Sequence, residues 1–244
     1  MLHEYSANLR PFPPMKMRPS VQEEDKRLRS IFRQRPRLKL DADESLFQEG
    51  DRADDLYELS SGLLRIVNLL SDGRRVIRGF IHPGEMIGLS AQEQYPYSVE
   101  AVVPSTYWRC TRRDFERDIE ATPALRPFLF RRLCAEMESV QEKLVLMISR
   151  SADERLAAFL VERMGRDSRQ ATAGMVITLP MNRQDVADYL GLSPETVSRS
   201  MTRLVMRGLV AAAGRQTIRI LKPRALARIA AGDEERADGC MMPC

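Results

Sequence analysis

The chain has 244 residues, enough for one large or two ordinary domains, and 43% of them are hydrophobic, which can supply real cores. Its formal net charge of +4 at pH 7 makes it mildly basic. The uncharged stretch near the hydrophobic maximum, around Leu144–Ser149, is far too short to cross a bilayer, and prolines interrupt the first residues where a signal peptide needs an apolar core. We therefore expect a cytoplasmic protein with no membrane partner.

Four cysteines are spread along the chain without a C-x-x-C pair: Cys110, Cys134, Cys240 and Cys244. This spacing argues against a disulfide framework. Cys240 and Cys244 share a polar tail, where two thiols can form a redox pair or bind a metal. Free thiols are the better prediction.

The first predicted elements are an irregular arm and a short helix. Residues 1–36 are rich in proline, arginine and methionine, and the helix is predicted over Gln22–Phe32. Residues 37–120 then show short apolar segments separated by glycines, which predict a meandering β-domain. Within it, Ser71–Gly73 predicts a hairpin turn between strands at Leu63–Leu70 and Arg75–Ile81.

A long helix is predicted over residues 121–149, starting at about Pro123. Six apolar residues recur at alternating spacings of three and four and form a heptad seam: Phe130, Leu133, Met137, Val140, Leu144 and Met147. A second apolar face contains Phe128, Leu129, Leu146 and Ile148. A helix that packs only on its own β-domain needs one such face, whereas two faces predict a homodimer joined along the seam.

A capping box at Ser151–Glu154 marks the start of a second domain over residues 150–231, which a tail at 232–244 follows. Residues 182–207 have the pattern of a helix-turn-helix. Asn182 caps the first helix, Gly191 ends it, and Ser193 and Pro194 begin the second. The apolar face of the second helix comprises Val197, Met201, Leu204 and Val205. Its opposite face carries Glu195, Ser198, Arg199 and Arg203.

The segment from Thr196 to Gly232 contains eight Arg or Lys residues and no Asp or Glu. This run is too one-sided for the solvated face of an ordinary helical hairpin, and it suits a phosphate backbone. Strand-like Leu209-Val210 and Thr217–Ile220 flank a small-residue turn at Ala213–Arg215 and predict a wing. A polar second helix after a short turn is the geometry that enters a DNA major groove, so double-stranded DNA is the predicted partner.

In this order of elements the chain resembles the CRP/FNR family of bacterial transcription regulators. The resemblance rests on FQEGDRADDLYELSSG at Phe47–Gly62, FIHPGEMIG at Phe80–Gly88, DERLAAF at Asp153–Phe159, and the helix-turn-helix. It implies an α+β fold with an N-terminal β-roll like a cyclic-nucleotide-binding domain, a long dimerisation helix and a C-terminal winged helix-turn-helix. It also implies an activator that works with RNA polymerase.

The resemblance assigns DNA contacts residue by residue. Glu195, Ser198 and Arg199 match the E-x-x-S-R base-reading pattern of the FNR and FixK branch, which implies inverted TTGA…TCAA half-sites about 34 Å apart. Arg199 can make a bidentate contact to guanine, and Glu195 can accept from the cytosine amino group. The predicted phosphate contacts are Asn182, Arg183, Gln184, Ser193, Thr196, Arg203 and Arg215.

Each effector site known in the family requires particular residues, and their presence or absence in this sequence predicts which effector can bind. Gly84-Glu85 matches the cyclic-nucleotide pocket, but Tyr95-Pro96 stands where the family needs Arg-Ser or Arg-Thr, so control by cyclic AMP is not expected. Trp108 stands at the iron–sulfur ligand position of FNR, and the first cysteine is Cys110, which argues against a cluster. His82 lies near the haem-ligand position of gas-sensing relatives and is more simply a turn residue. We expect no metal and no cofactor, as in FixK, whose members typically act on microaerobic or anaerobic genes.

Two other kinds of function are weaker. No nucleophile elbow, P-loop, catalytic carboxylate pair or metal-binding histidine cluster occurs in the sequence, which argues against an enzyme. A haem-dependent gas-sensing regulator of the same family and a β-roll module that acts on a protein partner are the alternatives. The second alternative leaves the Glu195–Arg199 pattern and the acid-free basic run unexplained.

Overall fold

The computed structural model describes residues 28–167 and 174–233. It divides into two compact units, and the division falls after Gln141, inside a long helix. No helix among the described residues is long and apolar enough to cross a membrane. The N-terminal unit is built on a six-stranded antiparallel sheet, and the C-terminal unit combines helices with a three-stranded sheet.

The six strands of the N-terminal sheet are β1 (Arg37–Leu40), β2 (Ser45–Phe47), β3 (Asp55–Leu69), β4 (Arg75–Ile81), β5 (Met86–Ile87) and β6 (Ser98–Thr111). β3 and β6 pair along most of their length, β1 and β2 add to β6, and β4 and β5 add to β3. The ladder shifts register around Gly62, where a Cβ atom would lie 2.1 Å from the Ser105 hydroxyl oxygen. This shift lets one long chain segment curve around the core of the β-roll.

The predicted β3–β4 hairpin is confirmed, although its first strand is longer than predicted. β3 begins at Asp55 rather than at Leu63, and its first five residues are all buried. A strand buried on both faces loses the polar–apolar alternation by which a strand is recognised. The turn closes where Leu70 donates its N–H to the carbonyl of Arg74, with Gly73 at φ +81°.

Helical residues pack against one end of this sheet. Residues 28–33 are helical and match the end of the helix predicted at Gln22–Phe32, while its residues 22–27 lie outside the described range. A helix absent from the sequence analysis, α1 (Arg112–Ala121), follows β6, and the Thr111 hydroxyl caps it by accepting from the Asp114 N–H. Together these elements enclose a second cluster of buried side chains: Leu28, Ile31, Phe32, Leu56, Cys110, Phe115, Ile119 and Leu125.

The long predicted helix is present as a 3₁₀ turn (Pro123–Leu125) followed by α2 (Arg126–Ser149). Five seam residues are exposed by 43–68%: Phe130, Leu133, Met137, Val140 and Leu144. Phe128 and Leu129 pack against the second cluster, as expected for a face turned toward the helix's own β-domain. Ile148, the last residue of the predicted second face, is 77% exposed.

The C-terminal unit contains α3 (Ala152–Asp167), β7 (Val176–Thr178), α4 (Arg183–Leu190), α5 (Pro194–Met206), β8 (Val210–Ala212), β9 (Thr217–Ile220) and α6 (Pro223–Ala231). The sheet order is β7-β9-β8. The two predicted wing strands are present. The first, β8, begins at Val210 rather than at Leu209, which is buried just before the strand. Neither β7 nor α6 was predicted, although Pro223 at the start of α6 and Gly232 at its end are typical helix boundaries.

Candidate nucleic-acid interface

The helix-turn-helix has the local capping that the sequence predicts. Asn182 accepts the Asp185 N–H at 2.8 Å with its side-chain oxygen and so begins α4. Gly191 ends α4 in the left-handed conformation at φ +63°, and Leu192 returns its N–H to the carbonyl of Ala187. This backbone conformation favours glycine and produces the sharp turn between the two helices.

The second helix, α5, begins with Ser193 as its N-cap and Pro194 in its first turn. The Ser193 hydroxyl accepts the Thr196 N–H at 3.2 Å. Val197 and Leu204 are buried as predicted. The prediction was wrong for Val205, which is 43% exposed, whereas Ser200 is completely buried in its place. The polar Ser200 is tolerated in the core because its hydroxyl has hydrogen-bond partners, as described below.

Glu195 and Arg199 lie one turn apart on the exposed side of α5. The pKa of Glu195 is lowered first by a hydrogen bond from its own backbone N–H and then by the Ser193 hydroxyl, so its carboxylate is ionised at neutral pH. Among the described residues, Arg199 forms no hydrogen bond and no ion pair, which leaves its five N–H donors available. An acceptor and a donor fork therefore stand side by side at the N-terminal end of this helix.

Ser198, the third predicted base-reading residue, already has two hydrogen bonds within the chain. It donates to the Pro194 carbonyl at 2.8 Å and accepts from Arg183 Nη1 at 3.0 Å. The second bond links the start of α4 to α5. Ser198 thus brings Arg183, a predicted phosphate contact, to the same surface as the predicted base-reading residues.

The remaining predicted phosphate contacts are distributed over the two helix starts and the wing. Asn182, Ser193 and Thr196 are engaged in helix capping. Gln184 donates to Asp188 at 2.6 Å. Arg215 lies exposed in the turn between β8 and β9 and, within the described part of the chain, has no hydrogen bond or ion pair.

Arg203, the last of the predicted phosphate contacts, has partners within the protein that the sequence analysis did not predict. Arg203 binds Asp153, at the start of α3, with two donors, including Nε to Oδ2 at 2.7 Å. It also donates to the buried Ser200 hydroxyl at 2.9 Å, and the pKa of Asp153 is lowered first by Arg203 and then by Ser200. Its guanidinium therefore anchors α5 to α3, and we propose that this anchoring, rather than a phosphate contact, is its role.

In the β-roll, Tyr95 is a core residue. Its ring is stacked on that of Phe47 with centroids 3.8 Å apart, and its hydroxyl donates to the Asp55 carbonyl at 2.6 Å. Tyr57 belongs to the same buried cluster as Phe47 and Tyr95, and the partly buried Tyr97 and Tyr107 pack against that cluster. The residue that the family resemblance places at the cyclic-phosphate position is thus a packed phenol ring.

The other residues considered for an effector site also make contacts within the protein. His82 and Glu85 close a turn, in which the Glu85 carboxylate accepts the His82 N–H at 2.9 Å. Trp108 lies beneath the Arg33 guanidinium, whose central carbon is 5.5 Å from its ring centroid. Cys110 is buried, and this burial raises the pKa of its thiol to about 11. Cys134 lies half-buried on α2, and Cys240 and Cys244 are outside the described residues.

Comparisons with known proteins agree with this architecture. Residues 37–121 match the cyclic nucleotide-binding domain, and residues 154–229 match the Crp-like helix-turn-helix domain. The transcriptional activatory protein AadR of Rhodopseudomonas palustris is 36% identical over 213 residues, covering 87% of this chain and 86% of that protein. The nitrogen fixation regulation protein FixK of Rhizobium meliloti is 39% identical over 181 residues, covering 74% of this chain and 81% of that protein.

A solved structure, that of FixK2 from Bradyrhizobium japonicum, superimposes with a TM-score of 0.73 at 31% identity and covers 80% of this chain and 96% of that one. The predicted fold class is therefore confirmed, and so is the prediction that the protein is a regulator rather than an enzyme. The chain belongs to the CRP/FNR family of DNA-binding transcription regulators and is FixK-like within it.

Proposed function

We propose that this chain is a homodimeric transcription activator that reads TTGA…TCAA inverted repeats without a cyclic nucleotide, haem or iron–sulfur cluster. The observation that carries the proposal is the exposed pair of Glu195 and Arg199 at the start of α5. The Glu195 carboxylate is ionised, and the Arg199 guanidinium has no hydrogen-bond partner among the described residues. Both groups can therefore bind base edges in place of water, and little interaction within the protein is lost.

The chemistry of the two side chains matches a guanine–cytosine step. Arg199 can donate two parallel hydrogen bonds to guanine O6 and N7, and Glu195 can accept from the cytosine amino group. Ser198, between them in sequence, can contact a base edge or the thymine methyl region. Arg183 and Arg215, with the capped helix starts, hold phosphates and set the register of α5 in the groove.

The proposed dimer follows from α2. A stripe of exposed apolar side chains at heptad spacing, from Phe130 to Leu144, is poorly suited to water and well suited to a second copy of the same helix. A two-fold dimer contributes two recognition helices, and an inverted repeat offers them two half-sites about one DNA turn apart. One chain alone contacts one half-site.

Independence from cyclic nucleotides is supported by Tyr95. A cyclic phosphate needs a cationic partner, whereas Tyr95 is neutral, stacked on Phe47 and bonded to the backbone of Asp55. Accommodating the phosphate would require removing this ring from the core. We therefore propose that the β-roll acts as a folded scaffold and that the cellular amount of the protein is set by another sensor.

The names of the relatives support activation as the outcome of binding. AadR is a transcriptional activatory protein, and FixK regulates nitrogen fixation. By analogy we propose that the present protein works with RNA polymerase on genes of the microaerobic or anaerobic type.

The test is a set of binding titrations with purified protein and no added ligand. Wild type should bind a TTGA…TCAA duplex, and Arg199→Ala should lose about 1–3 kcal/mol of discrimination at the guanine. Arg215→Ala should weaken matched and mutated duplexes equally, which makes it the control for lost positive charge. An Arg199→Ala protein that keeps the guanine preference would contradict the assigned base contact, and a strict requirement for cyclic AMP would contradict the proposed independence from an effector.

A further inference from the structure

Arg155 joins the ends of two helices in the C-terminal unit. From the first turn of α3, its guanidinium donates to the carbonyl oxygens of Arg150 at 3.0 Å, Met147 at 2.5 Å and Leu190 at 3.3 Å. Met147 lies in the last turn of α2, Arg150 directly follows that helix, and Leu190 is the last residue of α4. One side chain therefore binds the carbonyl ends of the proposed dimerisation helix and of the first helix of the helix-turn-helix.

These carbonyls need a partner from outside their own helices. The last four carbonyl groups of an α-helix have no N–H donor within it, and they carry the negative end of the helix dipole. A guanidinium meets both needs, because it is always charged and presents donors in a fixed planar fork. A lysine has the charge but not the fork, so it cannot serve three carbonyls in these directions.

Further contacts hold the same two helices in the same arrangement. Lys143, on α2, places its ammonium nitrogen 3.4 Å from the centroid of the Tyr189 ring on α4. The Tyr189 hydroxyl donates to Glu162 of α3 at 3.1 Å. At the turn, a Cβ atom on Gly191 would lie 3.8 Å from Met147 Sδ and 3.9 Å from Arg155 Nη1, so the turn approaches the end of α2 closely.

From these contacts we infer that Arg155 is a positioning residue that fixes the helix-turn-helix to the end of the dimerisation helix and thereby sets the half-site spacing that the dimer accepts. The inference rests on the proposed palindrome-binding dimer. Met147 carries the argument, since its side chain belongs to the proposed seam while its carbonyl is bound by Arg155. With a rigid joint, two recognition helices occupy one fixed separation. With a loose joint, they adapt to several separations and bind each of them less tightly.

The experiment compares palindromes that differ only in the spacer. Adding or removing one base pair moves a half-site by about 3.4 Å and rotates it by about 35°. Wild type, Arg155→Met, Arg155→Lys and the control Arg117→Met are titrated with the optimal duplex, with both altered spacers and with a duplex that carries a single half-site. Arg117 is a surface arginine of α1 with acidic partners, so its replacement matches the loss of charge without touching the joint.

We expect wild type and Arg117→Met to bind the altered spacers about tenfold more weakly than the optimal one, a part of the gain that simultaneous binding of two sites supplies. In Arg155→Met, affinity for the optimal spacer should fall while the difference between spacers shrinks to about threefold or less, with half-site binding unchanged. Arg155→Lys should lie between the two. Thermal unfolding and light scattering identify folded dimers, and Arg155→Lys decides the question if Arg155→Met does not fold.

Two results would overturn the inference: undiminished spacer discrimination in the Arg155 variants, or a weakening that is equal on all four duplexes, half-site included. The second result marks Arg155 as a residue of general stability only. A wild-type protein without preference for a palindrome over a half-site would instead contradict the proposed function, and that outcome is visible before any variant is considered.

Discussion

Replacing Arg203 with methionine separates its two conceivable roles, an anchor within the protein and a contact to DNA. The side chain of Arg203 is half exposed and that of Asp153 about one quarter exposed, so solvent screens their attraction, and the pair contributes about 0.5–1 kcal/mol. The substitution also removes a donor from the Ser200 hydroxyl, which is completely buried, and this costs about 1 kcal/mol more. We expect Arg203→Met to destabilise the C-terminal unit by about 1.5–2 kcal/mol in all.

A double-mutant cycle with Asp153→Asn measures the interaction by thermal unfolding. Because the pKa of Asp153 is lowered in the folded protein, the pair contributes its full stability above the ordinary pKa of an aspartate, about 4, and loses it as the pH falls through the lowered value. The coupling energy should therefore be present at pH 7 and fade below about pH 4. A coupling energy of zero at pH 7 would refute the anchoring role.

The DNA side of the same prediction uses salt dependence. Removing one phosphate-binding cation from each subunit of a dimer should lower the slope of log K against log salt by about 1.8. We expect this change for Arg215→Met, which removes an exposed and uncommitted guanidinium, and no change for Arg203→Met. Equal changes of slope in the two variants would show that Arg203 leaves Asp153 to bind a phosphate, and the proposed anchoring role would be wrong.

Two further predictions concern α2 and the cysteines. Leu144→Glu introduces a charge into the exposed apolar seam and should convert the dimer into a monomer that no longer binds the palindrome. Light scattering measures the first change and binding titrations the second. A variant that remains dimeric would place the dimer interface elsewhere. Because burial raises the pKa of Cys110 to about 11, its thiol stays protonated at pH 8, and iodoacetamide should modify Cys134 well before Cys110 in the folded protein, with equal rates after unfolding. Peptide mass spectrometry would measure both rates, and rapid labelling of Cys110 would show that its pocket opens.

The helix-turn-helix could be predicted from the sequence because its determinants are local. The caps at Asn182 and Ser193 act on N–H groups within three residues, and Gly191 sets the turn through its own backbone. α1 was missed although its cap at Thr111 is of the same local kind. It follows a long strand directly, and a helix of ten residues is hard to separate from the end of the β-domain by periodicity alone.

The features of α5 that the sequence did not predict come from partners distant in sequence. Periodicity places Arg203 four residues after Arg199 and therefore on the same outer face. The two side chains nevertheless differ in role, because Asp153, fifty residues earlier in the chain, binds one of them and not the other. For the same reason the pattern predicts Ser200 outside and Val205 inside, since a buried hydroxyl between two charged groups cannot be recognised from hydrophobic pattern.

The basic segment from Thr196 to Gly232 shows how far a count of charged residues can predict DNA contacts. Its lack of acidic residues predicts a surface that binds phosphate. From composition alone, every arginine in the segment is a candidate for contact with DNA. Arg203 is instead neutralised by an acid that lies outside the run, and Arg155, which also lies outside it, is bound to backbone carbonyls. Arg199 and Arg215 keep their donors uncommitted within the described residues, and a groove can be read only with donors of that kind. If the proposed contacts hold, the arginines that build the domain differ from those that face DNA in their partners within the protein, and side chains that do not contact a base position the recognition helix.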